Sequence, residues 1–62
     1  MSIRIALADD HAIVRQGLSR AIEQEDDMEV VGQASNGRDT IDVVRESSPD
    51  VLITDISMPD LN

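Results

Sequence analysis

A chain of 62 residues without cysteine forms one small domain at most, and no disulfide or thiolate metal site can staple it. Thirteen acids face five bases, every one of them Arg, and the net charge of −8 excludes this segment as a grip for phosphate backbones, whose affinity comes largely from Lys and Arg. With no aromatic residue, any core is assembled from Ile, Val, Leu, Ala and Met. No apolar run approaches the ~18 residues of a membrane span, and the start lacks a basic stretch followed by an apolar one, so a cytoplasmic protein with no membrane contact is expected.

Ile3 to Ala8 is almost continuously apolar, with only Arg4 polar, which predicts a parallel strand covered on both faces. Val14, Leu18, Ala21 and Ile22 then recur at helical spacing, one stripe of a helix over Ala12 to Glu25. Asp10 or His11 stands at its N-cap, where the helix dipole favours an acid. Gly17 in mid-helix costs ~1 kcal/mol relative to Ala and points to close packing against a strand. The acids Glu23, Glu25, Asp26, Asp27 and Glu29 read as a solvated loop at the helix end.

Met28 to Ala34 predicts a second strand centred on Val30 and Val31, with Met28 as edge packing. Gly32 weakens it, as an edge strand tolerates. Asn36-Gly37 would suit a hairpin turn, but the residues after it have a helical pattern rather than that of a matching strand. Asn36 instead resembles an N-cap, with Asp39 at the capping-box position. Ile41 and Val44 make the inner stripe of this short helix, with Val43 beside it, and Ser47-Ser48-Pro49 ends it. Val51 to Thr54 is the third strand, and Ile56 to Asn62, which contains Pro59, has no period and reads as a loop.

The order β-α-β-α-β with short connections implies an α/β fold with a parallel sheet and right-handed crossovers. Ligands of such sheets sit beyond the carboxyl ends of the strands. Asp9 and Asp10 follow the first strand and Asp55 the third, so neighbouring strands would place three carboxylates in one crevice. Two carboxylates ~4 Å apart repel by roughly 4 kcal/mol at an effective dielectric of about 20. A divalent cation, or a shared proton, relieves that repulsion. Singly, Asp9 and Asp10 read as helix caps and Asp55 as a loop acid; jointly they read as a site. His11 reads as packing at the helix N-terminus rather than as a base or ligand, and Met58-Pro59 as shaping the loop after the site.

Taken in order, Asp9-Asp10-His11 after an apolar strand, Arg15 to Leu18, Val30 to Ala34 with Asn36-Gly37, and Pro49 to Pro59 together resemble the start of a response-regulator receiver domain. The nearest variety is the NarL/FixJ (LuxR-type) transcriptional regulators. The resemblance spans residues 1–62 as the N-terminal half of a receiver, a partial flavodoxin-like fold without its last two strands and three helices. It implies that Asp55 is the phosphoacceptor and that Asp9 and Asp10 hold Mg²⁺ with Asp55 and the backbone carbonyl of Ser57. It also implies a sensor histidine kinase as partner, a phosphoacceptor signalling role rather than an enzyme, and DNA contacted only through an effector domain absent here.

The family's later hydroxyl residue, its Lys and its switch aromatic have no counterpart, and the chain contains no Lys. With strand order 2-1-3-4-5 the third strand becomes a bare edge presenting Val51, Leu52 and Ile53. Such a fragment is not expected to be a stable monomer; either it is a piece of a longer protein or it self-associates through that edge. A competing reading is therefore an interaction or dimerisation module without phosphotransfer. A phosphohydrolase using an aspartate nucleophile fits less well, because those enzymes separate the nucleophile and its acid partner by one residue, whereas Asp9 and Asp10 are adjacent.

Overall fold

The computed structural model describes residues 2–55. Five elements alternate: β1 (Ile3–Ala8), α1 (Ala12–Glu23), β2 (Met28–Ala34), α2 (Gly37–Ser47) and β3 (Val51–Thr54). The strands form one parallel sheet in the order β2-β1-β3, so β1 is central and β3 is an edge, as expected. All three strands have the bounds their sequence predicts, whereas α1 stops at Glu23 instead of Glu25.

The pleat of β1 divides the core in two. Ile5 and Leu7 pack with Ile22 of α1, joined by Leu18, Met28 and Val30. Ala8 packs on the opposite face with Ala34 and with Val43 of α2. One helix therefore covers each face of the β1–β2 half of the sheet. Ile5, Ala6, Leu7 and Ala8 are all buried, the result expected for a strand covered on both sides.

The helices lie on the sheet differently from their apolar stripes. In α1, Val14 and Ala21 are exposed and only Leu18 and Ile22 face the core. In α2, Ile41 is 59% exposed, while Gly37 and Thr40 are buried and Val43 packs inward. The inner line of α2 is thus made of small and polar residues, because the sheet face beneath it is made of alanines and a glycine. The Thr40 hydroxyl donates to the Asn36 carbonyl at 2.7 Å, which makes its burial inexpensive. Asn36 caps α2 as expected, its side-chain oxygen accepting from the Asp39 N–H at 2.8 Å.

The two glycines exchange the roles their positions suggest. No heavy atom lies within 4 Å of where a Cβ would stand on Gly17, so close packing does not explain it. A Cβ on Gly32 would meet Val43 Cγ1 at 2.5 Å. The register also shifts here, Ile5 pairing with Val30 and Ala6 with Gly32, so that Val31 is a bulge. Gly32 is therefore the place where α2 closes onto the sheet rather than a mere tolerance of the edge.

The start of β3 is tied to β1 through Arg4. Its N–H donates to Asp50 Oδ2 at 2.9 Å, its carbonyl accepts from the Asp50 N–H at 2.8 Å, and its guanidinium donates to the Ser47 carbonyl. Val51, Leu52 and Ile53 remain exposed along the free edge. Among the described residues no helix is long and apolar enough to cross a membrane.

Candidate functional site

The acids take their positions from the last rungs of the sheet. Beyond Ala8, the Asp9 N–H donates to the Ala34 carbonyl of β2 at 3.0 Å, and the Asp55 N–H donates to the Ala8 carbonyl at 3.0 Å. The two backbones that carry Asp9 and Asp55 are thus fixed on either side of the end of β1. Asp9 is buried, Asp55 half-buried and Asp10 exposed. One ligand atom each from Asp9, Asp10, His11 and Asp55 lies within 4.8 Å of all the others. The convergence expected of the three acids is present, and His11 joins them.

The turn into α1 is built around Asp9. Its Oδ1 accepts from the His11 N–H at 2.8 Å, and the Arg15 N–H donates to the His11 carbonyl at 3.0 Å as the helix begins. His11 is the N-cap but makes no side-chain cap bond, and Asp10 does not cap either. The His11 ring is 66% exposed rather than packed, its Nδ1 lying 3.1 Å from Asp9 Oδ1 and 2.9 Å from Asp10 Oδ1. This corrects the packing reading: between two carboxylates, an exposed imidazole gains more from their charge than from apolar contact. The hydrogen bond to Asp9, then the charges of Asp10 and Asp9 with a lesser part from Asp55, raise its pKa above 6.5; desolvation opposes them.

The donor set suits a hard divalent cation. Mg²⁺ takes oxygens at 2.0–2.1 Å in octahedral array, so opposite ligands stand ~4.2 Å apart. A spread of 4.8 Å comes near that with a small inward turn of side chains, two of which, those of Asp10 and His11, are exposed. Carboxylate oxygens from Asp9, Asp10 and Asp55 fit such an ion, and the nitrogen of His11 is the softer donor of the four. Ser57, Met58 and Pro59 lie outside the described residues. Sequence reasoning missed one contact. Arg15 Nη1 donates to the Asp9 carbonyl at 2.7 Å, and its only signal was an Arg on the first turns of the helix after two acids.

An open parallel α/β sheet with its polar cluster beyond the carboxyl ends defines the class of protein whose ligands bind at that edge. Within that class, residues 5–62 match the family described as response regulator receiver domain. The chain is 42% identical over 60 residues to the uncharacterized transcriptional regulatory protein YhcZ of Bacillus subtilis, covering 97% of this chain and 28% of that protein. The response regulator domain of Thermotoga maritima CheB superposes with a TM-score of 0.94 at 40% identity, over 100% of this chain and 46% of that one. A two-component response regulator of the LuxR family from Aurantimonas sp. superposes with a TM-score of 0.88 at 37% identity, over 95% of this chain and 42% of that one.

The chain belongs to the response-regulator receiver family, with the flavodoxin-like strand order and the NarL/FixJ (LuxR-type) kinship its motifs suggest. It spans about a quarter of the length of the curated relatives it matches.

Proposed function

We propose that residues 1–62 are the N-terminal half of a receiver that accepts a phosphoryl group from a sensor histidine kinase onto Asp55. Mg²⁺ is held by Asp9, Asp10, Asp55 and the Ser57 carbonyl, and transcription is controlled through a DNA-binding domain outside this chain. The observation that carries the reading is the convergence of Asp9, Asp10 and Asp55 within 4.8 Å at the carboxyl edge.

In the transfer, an Asp55 carboxylate oxygen attacks phosphorus, the P–N bond to the kinase histidine breaks, and the electron pair stays on the departing imidazole. The product is an aspartyl-phosphate. Bound Mg²⁺ supplies charge neutralisation to the phosphoryl oxygens. The backbone bond from Asp55 to Ala8 holds the nucleophile at the end of the sheet. Asp9 is fixed by its N–H to Ala34 and by its Oδ1 to the His11 N–H, which holds its carboxylate in the cluster. Asp55 is consumed stoichiometrically, so the domain signals rather than catalyses turnover, and a cytoplasmic location suits a kinase partner.

A second reading comes from the free edge. Val51, Leu52 and Ile53 are exposed on β3, and pairing with another copy would shield them. Symmetric edge pairing is antiparallel, which keeps the two acid clusters apart at opposite ends of the shared strands.

Titrating Mg²⁺ while following backbone amide resonances tests the site. Shifts centred on residues 9–11 and 55–58 are expected. Shifts centred elsewhere, or none in a folded sample, would refute it.

A further inference from the structure

We infer that Arg15 is a positioning residue for the metal-binding acids, an inference that rests on the Mg²⁺ reading above. The Asp9 carbonyl stands one step past the last rung of the sheet. The Asp9 N–H is bonded to Ala34 and the preceding carbonyl, that of Ala8, to Asp55, but among the described residues the Asp9 carbonyl itself has no strand opposite it. Arg15 Nη1, reaching back from α1, fills that place at 2.7 Å.

The geometry makes this bond count at Asp10. The Asp9 carbonyl and the Asp10 N–H belong to one rigid peptide plane, and the orientation of that plane sets where the Asp10 side chain leaves the backbone. Asp10 is exposed, and among the described residues its one side-chain contact is the exposed ring of His11. A ring that is itself 66% exposed is a weak anchor for that carboxylate. The guanidinium fixes Asp10 through the backbone instead, bonding a carbonyl and leaving the carboxylate oxygens to a cation. Arg15 is itself half-buried rather than free in solvent. A guanidinium bonded to the Asp9 backbone also moderates the mutual repulsion of three acids.

Partners that orient metal ligands are typically worth 10–100-fold in affinity. The test measures the Mg²⁺ dissociation constant of the 62-residue chain from amide shifts, at a concentration where circular dichroism shows it folded. Arg15→Met keeps the aliphatic stem and removes the donor. It is expected to weaken Mg²⁺ at least tenfold and to move the Asp10 amide resonance even without metal. Arg15→Lys keeps the charge and one donor and should recover most of the loss. Arg20→Met removes the same charge from the last turn of α1 and should leave the affinity within about twofold.

An Arg15→Met chain that binds Mg²⁺ as the parent does would overturn the inference while leaving the site reading standing. Equal losses in Arg15→Met and Arg20→Met would also overturn it, since bulk charge would then explain both. If Arg15→Met does not fold, Arg15→Gln against Arg15→Lys decides in the same way: equal affinities refute a charged positioning role. A parent chain that shows no Mg²⁺ response overturns the site reading, and this inference with it.

Discussion

Replacing Gly32 by Ala should destabilise the fold through a single contact. An added Cβ would lie 2.5 Å from Val43 Cγ1 and 3.5 Å from Ser47 Oγ. Val43 is β-branched and on a helix, where one χ1 rotamer dominates, so its methyl cannot swing away without crowding the preceding turn. The relief must come from moving α2 off the sheet, and overpacking of this kind costs ~1–3 kcal/mol. Against that stands a gain of about 0.5–1 kcal/mol from the reduced freedom of the unfolded chain. The net loss is expected to fall between ~0 and ~2.5 kcal/mol, at its upper end a large share of the stability of so small a domain. Urea unfolding followed by circular dichroism measures it. In a Val43→Ala background the methyl is gone, and the same substitution should be neutral or favourable, giving a coupling of at least ~1 kcal/mol. Gly17→Ala supplies the contrast within the same protein. With nothing within 4 Å of its new methyl, it should stabilise by about 1 kcal/mol. An equal effect of Gly32→Ala in both backgrounds would refute the close approach of α2.

His11 has its pKa raised by the hydrogen bond to Asp9 and the neighbouring acids, so its contribution to stability is complete below its unfolded value of 6.5 and is lost as pH rises through the folded value. In metal-free buffer the chain should exceed His11→Gln in thermal midpoint at mildly acid pH and match it in alkali; a pH-independent gap would contradict the ion pair. The exposed Val51-Leu52-Ile53 edge predicts a thermal midpoint that rises with protein concentration, with dimers in sedimentation equilibrium. A cooperative transition in a monomer, independent of concentration, would show the chain to be self-sufficient.

The strands were legible because near-continuous apolar runs bounded by acids and turns have few other readings, and their bounds match. The helix faces were not. An apolar stripe names Ile41, but the surface that α2 must meet is built of Ala8, Ala34 and Gly32, and only small or self-satisfied residues such as Gly37 and Thr40 can approach it. That choice depends on residues far apart in sequence. The same holds for the glycines, since the sequence shows that a Cβ is missing at Gly17 and Gly32 but not which absence a neighbour requires. The convergence of Asp9, Asp10 and Asp55 was readable because strand order and strand ends alone bring them together. His11 and Arg15 entered the site through side-chain reach, which spacing does not encode.

The most direct test of the account is where phosphate goes. The chain is incubated with Mg²⁺ and a small-molecule phosphodonor, and the modified residue is located by mass spectrometry after borohydride trapping of the acyl phosphate. A single modification at Asp55 is predicted, absent without Mg²⁺ and absent in Asp55→Asn. It should accumulate slowly, because no Lys is present to meet the phosphoryl oxygens. Labelling that persists in Asp55→Asn, or that falls on another residue of the parent chain, would contradict the assignment of Asp55 as phosphoacceptor.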